Sequence, residues 1–322
     1  MVDLLALGGE MLRAPLVHAR QLRWYQRYRA DSRNAAVVNA VAEAMDMPRV
    51  PRLRRGSVVL VTTVRNELDV IDELVEHHLS QGIEHLVIAD NMSSDGTRER
   101  LDELSRRHRG AMTVGDDRLD RFYQGAKLSF LARLAWASGA RWIVPADADE
   151  RWMGSTGTLA EHLGSTRSSQ VSAVCHNVYP RRDGSWQIDL YRHPITRIAF
   201  RAYPALAIGE GAHQVRRPGE LESGLHFIHV PWRSRSQLAR KTRQGAAALA
   251  AAGLCAENGV DGHWYEMAQS GRLDEIWASI EGTGSTSIGY GYKPVGPLTT
   301  IKSTSYRSWA AVEAELGPQP TA

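Results

Sequence analysis

From residue 57 the chain alternates between short β-branched runs and segments whose apolar residues recur every three or four positions. Ser57–Val64 (SVVLVTTV) is nearly continuous in apolar character and follows Gly56, the pattern of a strand buried on both faces. Leu68–Ser80 carries apolar residues at 68, 71, 74, 75 and 79, a helical spacing that Gly82 terminates. Glu84–Ala89 predicts a second strand and Asp95–Arg107 a second helix. That helix has acids early and arginines late, as the macrodipole favours, and Asp95-Gly96-Thr97 reads as its cap and turn. Ala111–Val114, Gln124–Ser138 and Ala140–Ala146 then predict strand, helix and strand. Strand–helix alternation of this kind predicts an α/β fold, a mostly parallel central sheet flanked by helices.

Beyond Glu150 the alternation gives way to short strands at Val171–Val178, Trp186–Tyr191, Ile195–Ala202 and Leu225–Val230, joined by loops rich in Arg, Pro and Gly. Residues 233–253 form a basic, alanine-rich helix ending at Gly253, and Leu273–Ile280 is helical again. The Gly- and Pro-interrupted stretch SIGYGYKPVGPLTTIKSTSY reads as a mobile lid or as disorder. Three segments result: a basic extension over residues 1–55, an α/β domain over 56–232, and a C-terminal helical extension with its tail over 233–322.

The extension changes the charge picture. The whole chain is only +3, yet residues 1–55 hold ten Arg against five acids, so the remainder is close to −2. Residues 11–29 predict a helix broken near Pro15, with Leu12, Leu16, Trp24, Tyr25 and Tyr28 partly on one face and arginines around it. Two readings stand: peripheral contact with an anionic membrane surface, or packing on the main domain with the arginines in water. No nucleic-acid-binding module accompanies these arginines. Hydrophobic content of 43% and two cysteines without disulfide or zinc spacing suit a reducing compartment. No apolar run reaches membrane-span length, and Asp3 stands where a signal peptide carries positive charge. The expected location is the cytoplasm, with association to the inner face of the membrane if the helix docks there.

Candidate chemistry sits at the carboxyl ends of the strands. Thr62-Thr63-Val64-Arg65-Asn66-Glu67, Asp90-Asn91 and Asp147-Ala148-Asp149-Glu150 each follow a buried strand, so one edge of one sheet gathers them. Asp147 and Asp149 repel each other, and a hard divalent cation, magnesium or manganese, relieves that repulsion while leaving positions for phosphate. No G-x-G-x-x-G follows the first strand, which argues against a dinucleotide site.

"VVLVTTVRNE", "HLVIADNMSSDGT" and "WIVPADADE", in this order and spacing, resemble the nucleotide-sugar domain of family 2-like glycosyltransferases with the GT-A fold. The resemblance spans roughly residues 57–232. It implies a metal-dependent transferase taking a sugar from a nucleotide-sugar donor, UDP-linked by expectation, to a glycan, lipid or small-molecule acceptor. It implies nucleoside contacts from Thr63, Arg65 and Glu67, and a base contact from Asp90, whose carboxylate suits the uracil N3–H. Asp147 and Asp149 then grip the metal on the diphosphate, with His229 as a third ligand. Gln124 and Lys127 are implied near the donor, and Arg233 and Lys241 over the diphosphate.

Inverting transfer also needs a base for the acceptor hydroxyl. Glu210, between two glycines, is the first choice, and Glu150 and His213 are the others. Two other functions remain open. One is a catalytically silent sugar-nucleotide binder; the other is a metal-dependent hydrolase built on Asp147, Asp149 and His229, although H-x-D and H-E-x-x-H spacings are absent.

Overall fold

The computed structural model describes residues 14–253, 262–287 and 290–317. Among the described residues two helices come first, α1 (Pro15–Ala30) and α2 (Ser32–Ala44), and lead into strand β1 (Met45–Asp46). Pro15 takes the first position of α1, where a proline forfeits only an N–H that has no intrahelical partner; residues 11–13 of the expected helix, Leu12 among them, lie outside the described residues. Asp31 caps α2, its carboxylate accepting from the N–H groups of Arg33 and Asn34.

The alternating half follows the hydrophobic pattern closely. It runs β2 (Val58–Val64), α3 (Ile71–Ser80), β3 (His85–Asp90), α4 (Thr97–Arg107), β4 (Met112–Asp117), α5 (Gln124–Ala137) and β5 (Trp142–Pro145). The four strands are parallel in the order β4-β3-β2-β5. Successive β2 side chains explain the unbroken apolar run. Val58, Leu60 and Val64 enter one core, shared with α3 and α4, while Val59 and Val61 enter a second, shared with α5. Each such side chain contributes about 1.5–3 kcal/mol by burial.

The second half is mixed. It comprises β6 (Glu150–Gly154), α6 (Leu159–Ser165), β7 (Gln170–Pro180), β8 (Trp186–Asp189), β9 (His193–Arg201), β10 (Ala207–Ile208), β11 (Val215–Arg216) and β12 (Leu221–His229). The sheet continues from β5 through β9, β7 and β12 to β6. Strand β6 escaped the sequence reading, and its pairing matters most for the site. It runs antiparallel to β12 with Glu150 opposite His229, and Val230 N–H donates to Asp149 C=O at 2.9 Å. A metal-type acid pair and a histidine more than seventy residues later are thereby joined.

Helices α7 (Arg235–Ala251), α8 (Gly262–Gln269) and α9 (Leu273–Ile280) follow, then strand β13 (Leu298–Ile301) and α10 (Trp309–Leu316). The tail read as lid or disorder supplies β13, which pairs with β8 from Leu298–Asp189 to Ile301–Trp186. Its β-branched Thr-Thr-Ile core carries that strand, and Ile301 is buried with Val178 and Ile228.

Candidate active site

Strand register builds the cleft. Val64 on β2 stands opposite Asp90 on β3, and Val61 stands opposite Pro145 on β5, so the polar segments after all three strands emerge at one level. They line a cavity of about 440 Å³. Of the residues expected from sequence, Thr63, Arg65, Glu67, Lys127, Asp147, Asp149, Glu210 and Lys241 face this cavity. Asp90, Glu150, His229 and Arg233 lie outside its lining.

Asp149 is the electrostatic centre. It is 2% exposed, and its Oδ2 meets three basic side chains: Lys241 Nζ in a short ion pair, His229 Nε2 at 3.6 Å and Arg233 Nη1 at 3.7 Å. Burial alone would raise its pKa, but Lys241 foremost, with Arg233, holds it well below the usual carboxylate range. Asn177 Oδ1 accepts from His229 Nδ1–H at 2.9 Å, which leaves the Nε2 lone pair directed at the Asp149 carboxylate. Burial keeps His229 below the ordinary imidazole range despite that acid. Arg233 is braced from behind by Glu67 and by Asp69 at 2.8 Å.

Asp147 is turned elsewhere. Its carboxylate pairs with Arg197 and accepts from Gln124 Nε2 at 2.8 Å. Among the described residues no group of three His, Cys, Asp or Glu side chains is close enough to hold a metal ion. The three expected ligands thus separate into an Asp149–His229 pair and a neighbouring Asp147. Glu150 lies beneath the cleft, fully buried, accepting from Arg197 Nε at 2.7 Å, Trp152 Nε1 at 2.9 Å and Asp147 N–H at 3.1 Å. Burial outweighs Arg197 and pushes its pKa up to about 7.

At the end of β3, Asp90 is 4% exposed and accepts from Ser93 N–H at 3.0 Å through Oδ2, while its Oδ1 is buried without a partner. Burial raises its pKa. Arg65 reaches only Asn91 Oδ1 at 3.5 Å, and its buried Nε is also unpartnered. Lys127 is committed instead: it pairs with buried Asp117 at 2.6 Å and donates to Leu119 C=O at 2.7 Å, fixing the loop between β4 and α5. Gly96, at φ 98°, is the N-cap of α4, and Asp95 just before it satisfies a free backbone donor, accepting from Thr97 N–H at 3.0 Å.

On the opposite wall, Glu210 Oε2 accepts from Gly125 N–H at 3.0 Å, at the amino end of α5. His213 donates Nδ1–H to Thr196 C=O at 2.8 Å, so its neutral tautomer keeps Nε2 as an acceptor. Gln124 joins the two sides, accepting from Gly211 N–H at 3.1 Å while donating to Asp147.

Of the cavity residues missed in the sequence, two bear directly on the acids and on His229. Arg197 binds Asp147, Glu150 and Gly211 C=O at once, tying the acidic loop to the Glu210 loop. An arginine inside the apolar run Ile195–Ala202 was its only signal. Tyr292 adopts φ 54°, rare for a bulky residue, and sets its ring edge-on to His229 with centroids 4.5 Å apart. Nothing in the Gly- and Pro-rich tail marked it.

An α/β sheet with an acidic loop, a polar wall at the ends of its parallel strands and a cavity between them has a GT-A architecture. A family profile described as glycosyl transferase family 2 matches residues 59–219, half of the chain, and the chain belongs to that family. It is a glycosyltransferase. Solved structures resemble it only distantly. The mannosyltransferase PcManGT from Pyrobaculum calidifontis, in complex with GDP-Man and Mn2+, is 16% identical over 71% of this chain and 70% of its own, with a TM-score of 0.37. Residues 1–349 of S. aureus TarS in complex with UDP are 12% identical over 70% of this chain and 79% of that one, with a TM-score of 0.38. Likeness this distant assigns no residue. No curated protein matches the sequence.

Proposed function

We propose that the protein transfers a sugar from a nucleotide-sugar donor, UDP-linked, to an acceptor hydroxyl with inversion and with the help of Mn2+ or Mg2+. The observation that carries this reading is Asp149 in the cavity lining with His229 Nε2 3.6 Å behind it, together with the orphaned Oδ1 of Asp90 next to the cavity-lining Asn91. A buried acceptor without a donor suits the N3–H of uracil, and a carboxylate facing an imidazole lone pair suits a divalent cation.

Asp149 and His229, with Asp147 on the same loop, are the residues that would hold the metal. When bound, it supplies charge neutralisation to the departing diphosphate. The remaining work belongs to side chains. Thr63 and Glu67 line the nucleoside end, and Arg65, with its unpartnered Nε, meets phosphate. Lys241 reaches the diphosphate from α7, and Arg233 supports it from behind. Lys127 holds the loop over the nucleoside instead of touching phosphate. Glu210 takes the proton from the acceptor hydroxyl as that oxygen bonds to the anomeric carbon and the bond to the diphosphate breaks. His213, on the same turn and with a free Nε2, is the second reading for that proton. Glu150, fully buried and held by three donors, is left without this role.

We read residues 56–232 as the transferase unit and 233–322 as its cover, with 1–55 as an accessory segment. No helix among the described residues is long and apolar enough to cross a membrane. Trp24 stacks on Tyr28 at 5.3 Å and lies under the Arg216 guanidinium, so these aromatics serve the fold. The outward face of α1 carries exposed Leu16, Arg20, Arg23 and Arg27, and α1 contains no acid. Contact with an anionic membrane at the inner face, which would bring the enzyme to a lipid-linked acceptor, rests on that face.

A thermal-shift panel of nucleoside diphosphates with and without Mn2+ tests the reading. A metal-dependent rise with UDP is expected, and Asp149→Ala should abolish the dependence on metal. No rise with any nucleoside diphosphate would sink it.

A further inference from the structure

Asp149 already has a cation. Lys241 reaches its Oδ2 in a short ion pair from the cavity wall, while Arg233 Nη1 approaches the same oxygen at 3.7 Å. These two contacts differ in kind. Arg233 is 7% exposed and fastened by Glu67 and Asp69, so it is fixed in place. Lys241 is 24% exposed, lines the cavity, and ends in a flexible four-carbon stem. A lysine serving only to neutralise a buried acid has no reason to stand in the ligand cavity.

The helix beneath it is anchored. Phe122 N–H donates to Ala248 C=O at 3.2 Å, and Gln237 Nε2 donates to Pro231 C=O at 3.2 Å, so α7 is tied at both ends. Against that tethered backbone, the Lys241 stem has the rotatable bonds to move its ammonium. With Asp149 and Glu67 balanced by Lys241 and Arg233, a divalent cation arriving alone at Asp149 meets two like charges. Arriving with a diphosphate, it brings the anion that Lys241 can take in exchange.

We propose that Lys241 is a cation-exchange residue: its ammonium holds Asp149 in the free enzyme and passes to the donor diphosphate when metal and nucleotide enter together. The inference rests on the metal-dependent nucleotide-sugar reading and deepens it. It makes metal and nucleotide binding mutually dependent, with Lys241 as the link. The two affinities therefore respond to its removal in opposite directions.

The test is Mn2+ binding to the full chain, followed by electron paramagnetic resonance of free Mn2+, alone and with saturating UDP or GDP. Wild-type protein is expected to bind Mn2+ about tenfold more tightly with nucleotide than without. Lys241→Gln should tighten binding of Mn2+ alone by about fivefold and weaken nucleotide binding in Mn2+ by about tenfold, lowering the coupling to what direct metal–diphosphate contact supplies. Lys241→Arg, which keeps the charge, should preserve the coupling and serves as the measured variant if Lys241→Gln does not fold. Unchanged or weaker Mn2+ binding by Lys241→Gln, or lost coupling in Lys241→Arg, overturns the exchange while leaving the transferase reading intact. Absence of any nucleotide-dependent Mn2+ binding by the wild type removes that reading and the exchange with it.

Discussion

Arg197 Nε donates to Glu150 Oε1 at 2.7 Å with both side chains buried. The acid adjoining the D-x-D pair is therefore half of an internal ion pair in the cleft floor. Arg197→Met leaves Glu150 and Asp147 without their guanidinium and should cost about 3–5 kcal/mol of stability, read from urea unfolding. Glu150→Gln retains an acceptor for Trp152 and should cost less, about 1–3 kcal/mol. It should also keep nucleotide binding. Equal losses in the two variants would contradict the pairing described.

The two residues on the Glu210 turn predict different kinetics. In slow hydrolysis of the donor, water replaces the acceptor hydroxyl and needs the same base. Glu210→Gln should lower kcat by about 10²- to 10⁴-fold with nucleotide affinity unchanged, whereas His213→Gln should fall much less. The reverse order moves the base to His213.

How far the sequence reaches depends on distance along the chain. The parallel strands were legible because burial on both faces writes itself as continuous runs such as Val58–Val61, and Asp147 and Asp149 because they sit directly after one. Strand β6 was not, since Glu-Arg-Trp-Met mixes charge into a buried segment; only the pairing with β12 makes sense of the buried Arg151, which holds Ala148 C=O at 2.8 Å. The partners of the cleft acids were hidden for the same reason. Whether Lys127 meets a phosphate or Asp117, and whether Asp147 meets a metal or Arg197, is decided by folding across long loops. Helix α1 was legible as amphipathic, but the side taken by Trp24 required Arg216 to be in view.

Histidines predict how the fold responds to acid. His176 Nε2 lies 3.1 Å from His226 Nδ1, and Trp309 of α10 stacks on His176 with centroids 3.7 Å apart. Burial, with the neighbouring imidazole and Arg192, lowers His176 to about 3; burial, His162 and Arg192 lower His226 to about 4. Their ordinary value is 6.5, so the unfolded chain binds more protons below that pH, and stability falls as pH drops from about 6.5 toward 4. The slope reaches about 1.4 kcal/mol per pH unit for each group. Thermal melts between pH 7 and pH 5 should show it; His77 and His78, also lowered by burial, add to the same slope, so His176→Phe should reduce it without abolishing it. A melting temperature independent of pH in that window would show that the pair does not titrate with unfolding.

Asp90 carries the sharpest prediction about the donor base. Its Oδ2 accepts from Ser93 N–H, so the asparagine of Asp90→Asn must present its oxygen there and its NH₂ at the Oδ1 position. A donor then faces the base where an acceptor stood. Uracil N3–H loses its partner, while cytosine N3, an acceptor, gains one. A hydrogen bond to a charged group contributes about 1.5–3 kcal/mol, so affinity for UDP should fall by roughly 10- to 100-fold. Affinity for CDP should rise, and the preference between the two should invert in a thermal-shift comparison with Mn2+ present. Because both nucleotides share one diphosphate, damage to the phosphate side weakens them equally. Equal loss for UDP and CDP would therefore place Asp90 away from the base.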